Sequence, residues 1–168
     1  MLPGGDIIAG SPSGLREPPM TPEQHRRIID LLSEHHCMAL ATLRADGFPQ
    51  TTTVSYVHDG LVIYFGCSKR SQKAHNLSRD SRISAAINRA YDDWNRIRGL
   101  SFGGTAEPLT EFDDVVRASE RFIARFPQAA GFALEDMLGT IFYRVKPTAI
   151  SVIDYTQGFG HSELVLLA

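Results

Sequence analysis

The chain has 168 residues, 43% of them hydrophobic and 21% charged, with a formal net charge of -2. That length suits one domain with a buried core, and the near-neutral balance gives no general argument for a nucleic-acid or membrane partner. No stretch approaches the roughly 20 apolar residues of a membrane helix, and the N-terminus, with Asp6 early and Arg16 its first basic residue, is unlike a secretory signal. Two cysteines without a Cys-x-x-Cys spacing, Cys37 and Cys67, read as reduced thiols, so the expectation is a cytoplasmic protein.

Residues 1–20 are rich in Gly and Pro and predict an irregular arm, whereas residues 21–168 predict one domain. Thr21-Pro22-Glu23-Gln24 has the residues of a capping box with proline at the first helical position, and predicts a helix to about His35. Strands are expected over Cys37–Leu43, Gln50–His58 and Leu61–Cys67. Asp46-Gly47 and Asp59-Gly60 supply hairpin turns between them, which makes an antiparallel meander. A short helix over Ser71–Arg79 and a strand over Arg82–Asn88 follow. Arg98–Glu107 reads as a strand in which Gly103-Gly104 marks a bulge or a close backbone approach. Thr110 is expected to cap a helix whose apolar face is Phe112, Val115, Val116, Phe122, Ile123 and Phe126, ended by Pro127. A second short helix is expected over Ala129–Leu138. Thr140–Lys146 and Thr148–Asp154 read as two strands with a kink or bend at Pro147. The tail closes with Gly158-Phe159-Gly160-His161 and the apolar run Leu164–Leu167. About six mostly antiparallel strands with little polar alternation favour a small closed barrel, and a strand as apolar as Leu61–Cys67 needs cover on both faces.

The most informative chemistry lies where that apolar strand runs into the next helix. Ser68-Lys69-Arg70-Ser71-Gln72-Lys73 places hydroxyls and positive charge at a helix start, where free amide N–H groups and the dipole favour an anion. Lys73 stands in the first turn, where the dipole opposes a cation unless an anion is present. The alternative is an ordinary solvated basic turn. Eight of the 17 Lys and Arg fall between Lys69 and Arg98. No nucleic-acid motif accompanies them, which favours a single phosphorylated cofactor. The six histidines lack metal-site spacing, and no Walker A, GxGxxG or GxSxG pattern occurs.

Ser71-Gln72-Lys73-Ala74-His75-Asn76-Leu77 resembles the phosphate-binding Ser-x-Lys-x-x-(Asn/Gln)-(Leu/Ile) segment of the pyridoxamine 5′-phosphate oxidase family and its FMN-binding split-barrel relatives. Ser78–Ser84 is similar to the stretch that leads into the family's next strand. Ala39–Leu43 with Asp46–Gln50 is similar to its opening hairpin, and Thr148–His161 to the ending of one subgroup. The resemblance implies a mainly β fold, a six-stranded antiparallel split β-barrel with flanking helices, acting as a homodimer with FMN at the subunit interface. It implies that Lys73, Ser71 and Arg70, with Ser68, hold the phosphate. The threonine strand would run along the flavin ring, with Thr52 and Val54 preferred over Thr53 and Ser55. Trp94 is read either as a packing residue or as one that crosses to cover the partner's flavin, and Arg98 begins a strand near the partner's cofactor. Gln72 stands where the true oxidases carry arginine, and their C-terminal arginine motif is not visible. Both departures argue against pyridoxamine 5′-phosphate as substrate. The expected function is therefore an FMN-dependent oxidoreductase of another substrate. A deazaflavin reductase and a non-enzymatic flavin or haem binder are the alternatives. His161 is read as a turn histidine or a haem ligand, and no metal site is expected.

Overall fold

The computed structural model describes residues 19–88, 90–132 and 134–167. The expected N-terminal arm lies outside the described residues over 1–18.

The first helix, α1 (Pro22–Glu34), starts as its sequence dictates. The Thr21 hydroxyl accepts from the Gln24 amide at 3.2 Å, and the Gln24 side chain accepts from the Thr21 amide at 2.9 Å. Its apolar face, Ile28, Leu31 and Leu32, is fully buried against the sheet. The Tyr56 hydroxyl donates to the Leu32 carbonyl at 2.8 Å and fixes the end of the helix to the barrel.

The meander follows as β1 (Cys37–Leu43), β2 (Pro49–Asp59) and β3 (Val62–Ser68), paired antiparallel with Leu40 opposite Thr52 and Tyr56 opposite Phe65. Gly47 and Gly60 adopt φ of 80° and 57° in the two turns, a region open to glycine at no steric cost. A short helix, α2 (Gln72–Leu77), leads into β4 (Arg82–Asn88). In β4 the burial alternates strictly, with Ile83, Ala85 and Ile87 inside. Then come β5 (Arg98–Pro108), α3 (Phe112–Arg125), α4 (Leu134–Leu138), β6 (Thr140–Asp154) and β7 (Ser162–Leu166).

The sheet order is β3-β2-β1-β4-β5-β6-β7, and β3 also pairs with β6. Six strands thereby close into a barrel and β7 is an addition on its edge. The long β6 makes both contacts. Its first part, Thr140–Val145, pairs with β3, and its last part, Ala149–Ile153, pairs with β7. Tyr56, Phe65, Leu40, Ile63, Leu100 and Ile150 fill the barrel interior.

Three expectations need correction. Thr140–Asp154 is one strand, not two. The pairing with β5 shifts between Gly103 and Gly104, which moves from Ala149 to Pro147 and leaves Thr148 as the extra residue. The bulge absorbs the proline without ending the strand. It also depends on Gly104, because a Cβ there would stand 2.3 Å from the Lys146 carbonyl oxygen. Second, the N-cap of α3 is Glu111 and no side chain caps that helix, so Thr110 lies one position too early. Third, the short helix expected over Ala129–Leu138 is a 3-10 turn, Pro127–Gly131, followed by α4. The apolar face of α3 is not packed into the core. Ala118 is its buried residue, and Phe112 is 80% exposed. The barrel is already filled by its own strands, so α3 lies outside it. There it packs against β2, with Arg121 ion-paired with Asp59 and its guanidinium 5.9 Å from the Tyr64 ring of β3.

Candidate functional site

The turn between β3 and α2 is built by its own hydroxyls. Ser71 N–H donates to the Ser68 carbonyl at 3.0 Å, closing a four-residue turn, and Arg70 N–H donates to the Ser68 hydroxyl at 3.2 Å. Ser71 caps α2, its hydroxyl accepting from the Ala74 amide at 3.3 Å. Helix geometry leaves the Gln72 and Lys73 amides without intrahelical acceptors. The turn is anchored from outside as well. Lys69 N–H donates to the Gly139 carbonyl at 2.9 Å, and Lys69 Nζ donates to the Leu138 carbonyl at 2.8 Å.

That anchoring divides the basic residues of the turn. Lys69 is engaged at the C-terminal end of α4, where the helix dipole favours a cation. Arg70 and Lys73 have no side-chain hydrogen bond or ion pair among the described residues.

The turn forms one wall of a cavity of about 840 Å³. Its polar side carries Thr53 and Ser55 of β2 with Ser68, Ser71 and Lys73. Its apolar side comes from α3 and the chain after it, with Val115, Phe122, Ile123, Phe126, Phe132 and Met137. Phe142 of β6 is tilted against Phe122 with ring centroids 5.5 Å apart and closes the floor. Cys67 also lines the cavity. Burial pushes its thiol pKa up, while the Ser71 hydroxyl and the Lys73 charge pull it back. Beside this cavity a more open cleft is lined by Ser68, Lys69 and Arg70 together with Glu135 and Asp136.

The structure brings together Ser68, Ser71, Lys73, Thr53 and Val54, with Arg70 next to them in the outer cleft. The strand alternation turns the side chains of Thr52 and Val54 inward, and Val54 is only 7% exposed. Thr53 and Ser55 face out towards the cavity. Trp94 and Arg98 lie elsewhere, at the other end of β6. Trp94 is 68% exposed and stacks on Phe159, itself 69% exposed, at 6.1 Å between centroids. Arg98 pairs in register with Asp154 and lies 3.9 Å from Glu34. His161 is in the same region, its Nε2 3.2 Å from Glu163, which also faces Arg27 at 3.4 Å.

The sequence did not reveal the apolar wall. The periodicity of α3 marks an apolar face, but nothing in it says that a cavity, rather than the core, receives that face. The expectation prefers the face of Thr52 and Val54, whereas the pleat turns Thr53 and Ser55 towards the cavity.

Residues 22–154 match the family model described as pyridoxamine 5′-phosphate oxidase. The chain belongs to this family. A UPF0306 protein of Klebsiella pneumoniae is 25% identical over 131 residues, 77% of this chain and 84% of that protein. Among solved structures, a conserved hypothetical protein of Mycobacterium tuberculosis is 27% identical with a TM-score of 0.70, covering 89% of this chain and 95% of that one. A heme binding protein from Mycobacterium smegmatis has a TM-score of 0.74 at 20% identity and covers 88% of this chain and 59% of its own length. This last likeness is one of fold. No described helix is long and apolar enough to cross a membrane.

Proposed function

We propose that this chain binds FMN in the cavity between the β3–α2 turn and α3, and acts as a flavin-dependent oxidoreductase. The observation that carries this reading is Lys73, without an ion-pair partner among the described residues, beside the Ser68 and Ser71 hydroxyls on one wall of a cavity whose opposite wall is apolar, with Arg70 in the adjoining cleft. Such a wall matches a ligand with a dianionic phosphate at one end and a flat apolar ring system at the other. Bound FMN would supply the hydride or electron transfer. The protein's part is to hold the phosphate on Lys73, Arg70 and the two serines and to place the ring against β2, where Thr53 and Ser55 offer hydroxyls. The inward-facing Thr52 and Val54 would contribute through their backbone. Phe122, Phe126 and Phe142 would exclude water.

The site is completed, in this proposal, by a second copy of the chain. Phe132, Met137 and Leu138 at the cavity mouth are 60%, 53% and 65% exposed, and Trp94 with Phe159 forms a second exposed apolar group at the far end of β6. A two-fold arrangement buries both groups at once, each against the other's counterpart. It would bring the partner's Trp94 and Arg98 over the cavity. Haem is the weaker reading: the residues lining the cavity include Cys67 but no histidine, and His161 is engaged by Glu163.

The absorption spectrum of the purified protein tests this directly. The two visible bands of oxidised flavin are expected, either on isolation or after adding FMN. A single deazaflavin band, a Soret band, or a colourless protein that fails to take up FMN would each overturn the reading. Sedimentation of the loaded protein should give a dimer, and a stable FMN-loaded monomer would contradict the shared site.

A further inference from the structure

Asn76, in the last turn of α2, is 0% exposed. Asparagine is a weak helix former and is seldom fully buried without partners. Here every polar valence of its amide is used. Nδ2 donates to the Thr42 hydroxyl at 2.9 Å and to Gln50 Oε1 at 3.2 Å. Oδ1 accepts from Gln72 Nε2 at 3.0 Å and from Arg79 Nη2 at 3.3 Å. The orientation of the amide is unique, because a guanidinium can only donate and so requires the oxygen on its side. Two of the partners belong to α2 and its exit. The other two, Thr42 and Gln50, belong to β1 and β2, on either side of the first hairpin.

This connection joins two of the elements that line the site. Ser71 and Lys73 sit on the helix side of Asn76. Gln50 lies near the start of β2, the strand that carries Thr53 and Ser55. We propose that Asn76 is a positioning residue for the phosphate half of the cofactor site. Through Thr42 and Gln50 it sets α2, and with it Ser71 and Lys73, at a fixed distance from the strand that faces the ring. The inference rests on the FMN reading above, since it assigns the network a role in that ligand's geometry. A six-residue helix has little stability of its own. Its placement therefore depends on such tertiary bonds.

The test separates positioning from folding by comparing FMN with riboflavin, which has the same ring and no phosphate. Dissociation constants for both ligands are measured on the wild type and on Asn76→Ala, Thr42→Val and Gln72→Ala. Asn76→Ala removes the whole network. Thr42→Val removes one sheet-side bond at nearly constant shape and carries the same test if Asn76→Ala does not fold. Gln72→Ala removes only a bond internal to the helix. The expected result is that the preference for FMN over riboflavin falls about tenfold in Asn76→Ala and by a smaller, measurable factor in Thr42→Val. Riboflavin affinity should stay within about twofold and Gln72→Ala should match wild type. An unchanged preference in Asn76→Ala and Thr42→Val overturns the proposal, even if both ligands bind more weakly, because the network would then be serving only the fold. A wild type that binds riboflavin as tightly as FMN overturns the phosphate reading itself, and this inference falls with it.

Discussion

Replacing Lys73 by alanine should move the stability of the free protein and its cofactor affinity in opposite directions. Lys73 occupies the first turn of α2, and no acidic side chain pairs with it among the described residues. The helix dipole opposes a cation there by about 0.3–1 kcal/mol, and alanine is the better helix former. One kcal/mol shifts the melting temperature of a domain this size by about 2–4 °C. The free variant should therefore melt at the wild-type temperature or up to about 4 °C above it. With FMN present the sign reverses. A charge-assisted contact to phosphate is worth about 1.5–3 kcal/mol, so affinity should fall by about 10- to 150-fold. Thermal melting with and without FMN, together with a flavin-fluorescence titration, measures both quantities. A free variant that loses several degrees while FMN affinity stays unchanged would refute the reasoning, because Lys73 would then be a structural lysine.

Gly104→Ala should cost about 1–3 kcal/mol, since its Cβ would meet two backbone groups of the bulge, the Lys146 oxygen at 2.3 Å and the Pro147 Cα at 2.9 Å. Gly103→Ala, whose nearest contact would be 3.9 Å away, should be near neutral in the same melt. Equal effects at the two positions would contradict the register of β5 on β6. Cys67 lines the cavity and Cys37 is exposed, so a thiol reagent should label Cys37 first, and FMN should slow labelling of Cys67 alone. FMN that slows both, or neither, would speak against the assigned cavity. Trp94 is the chain's single tryptophan, so quenching of its emission on FMN binding would report the partner's ring over the flavin. Unchanged emission at saturation would place it elsewhere. Arg82 holds the Asp80 carboxyl down at about 2. A carboxylate with a lowered pKa stabilises fully above its unfolded value, about 4, and loses that contribution as pH falls towards 2. Asp80→Asn should therefore melt below wild type at neutral pH and converge with it between about pH 4 and 2. A gap that does not change with pH would show that the pair is not the source.

Much of this architecture was legible because local chemistry and global fold agree. The Thr21 capping box, the glycines of the two hairpin turns and the strict alternation of β4 each specify their element within a few residues, and the structure bears them out. Gly103-Gly104 signalled a bulge in advance. What it would do to Pro147 was hidden, since a proline inside a strand reads as a break unless the partner strand's register is known. Burial of α3 was hidden for a related reason. A helix periodicity reports one apolar face, and only the closed barrel shows that the core has no room for it. At the site, the serines and Lys73 were visible because a hydroxyl cap and a first-turn lysine are local features. Which face of the threonine strand meets the cavity was not. That depends on the direction of the pleat, which puts Thr53 and Ser55 outside and Val54 in the core. The role of Asn76 was also out of reach, because its sheet-side partners, Thr42 and Gln50, are remote in sequence.

The most direct test of the central claim is a titration of FMN into the purified, cofactor-free protein, followed by flavin fluorescence. Saturable quenching with one FMN per chain, much weaker for riboflavin and strongly weakened by Lys73→Ala, is the predicted result. No saturable change with FMN would contradict the assignment of this cavity to a flavin nucleotide.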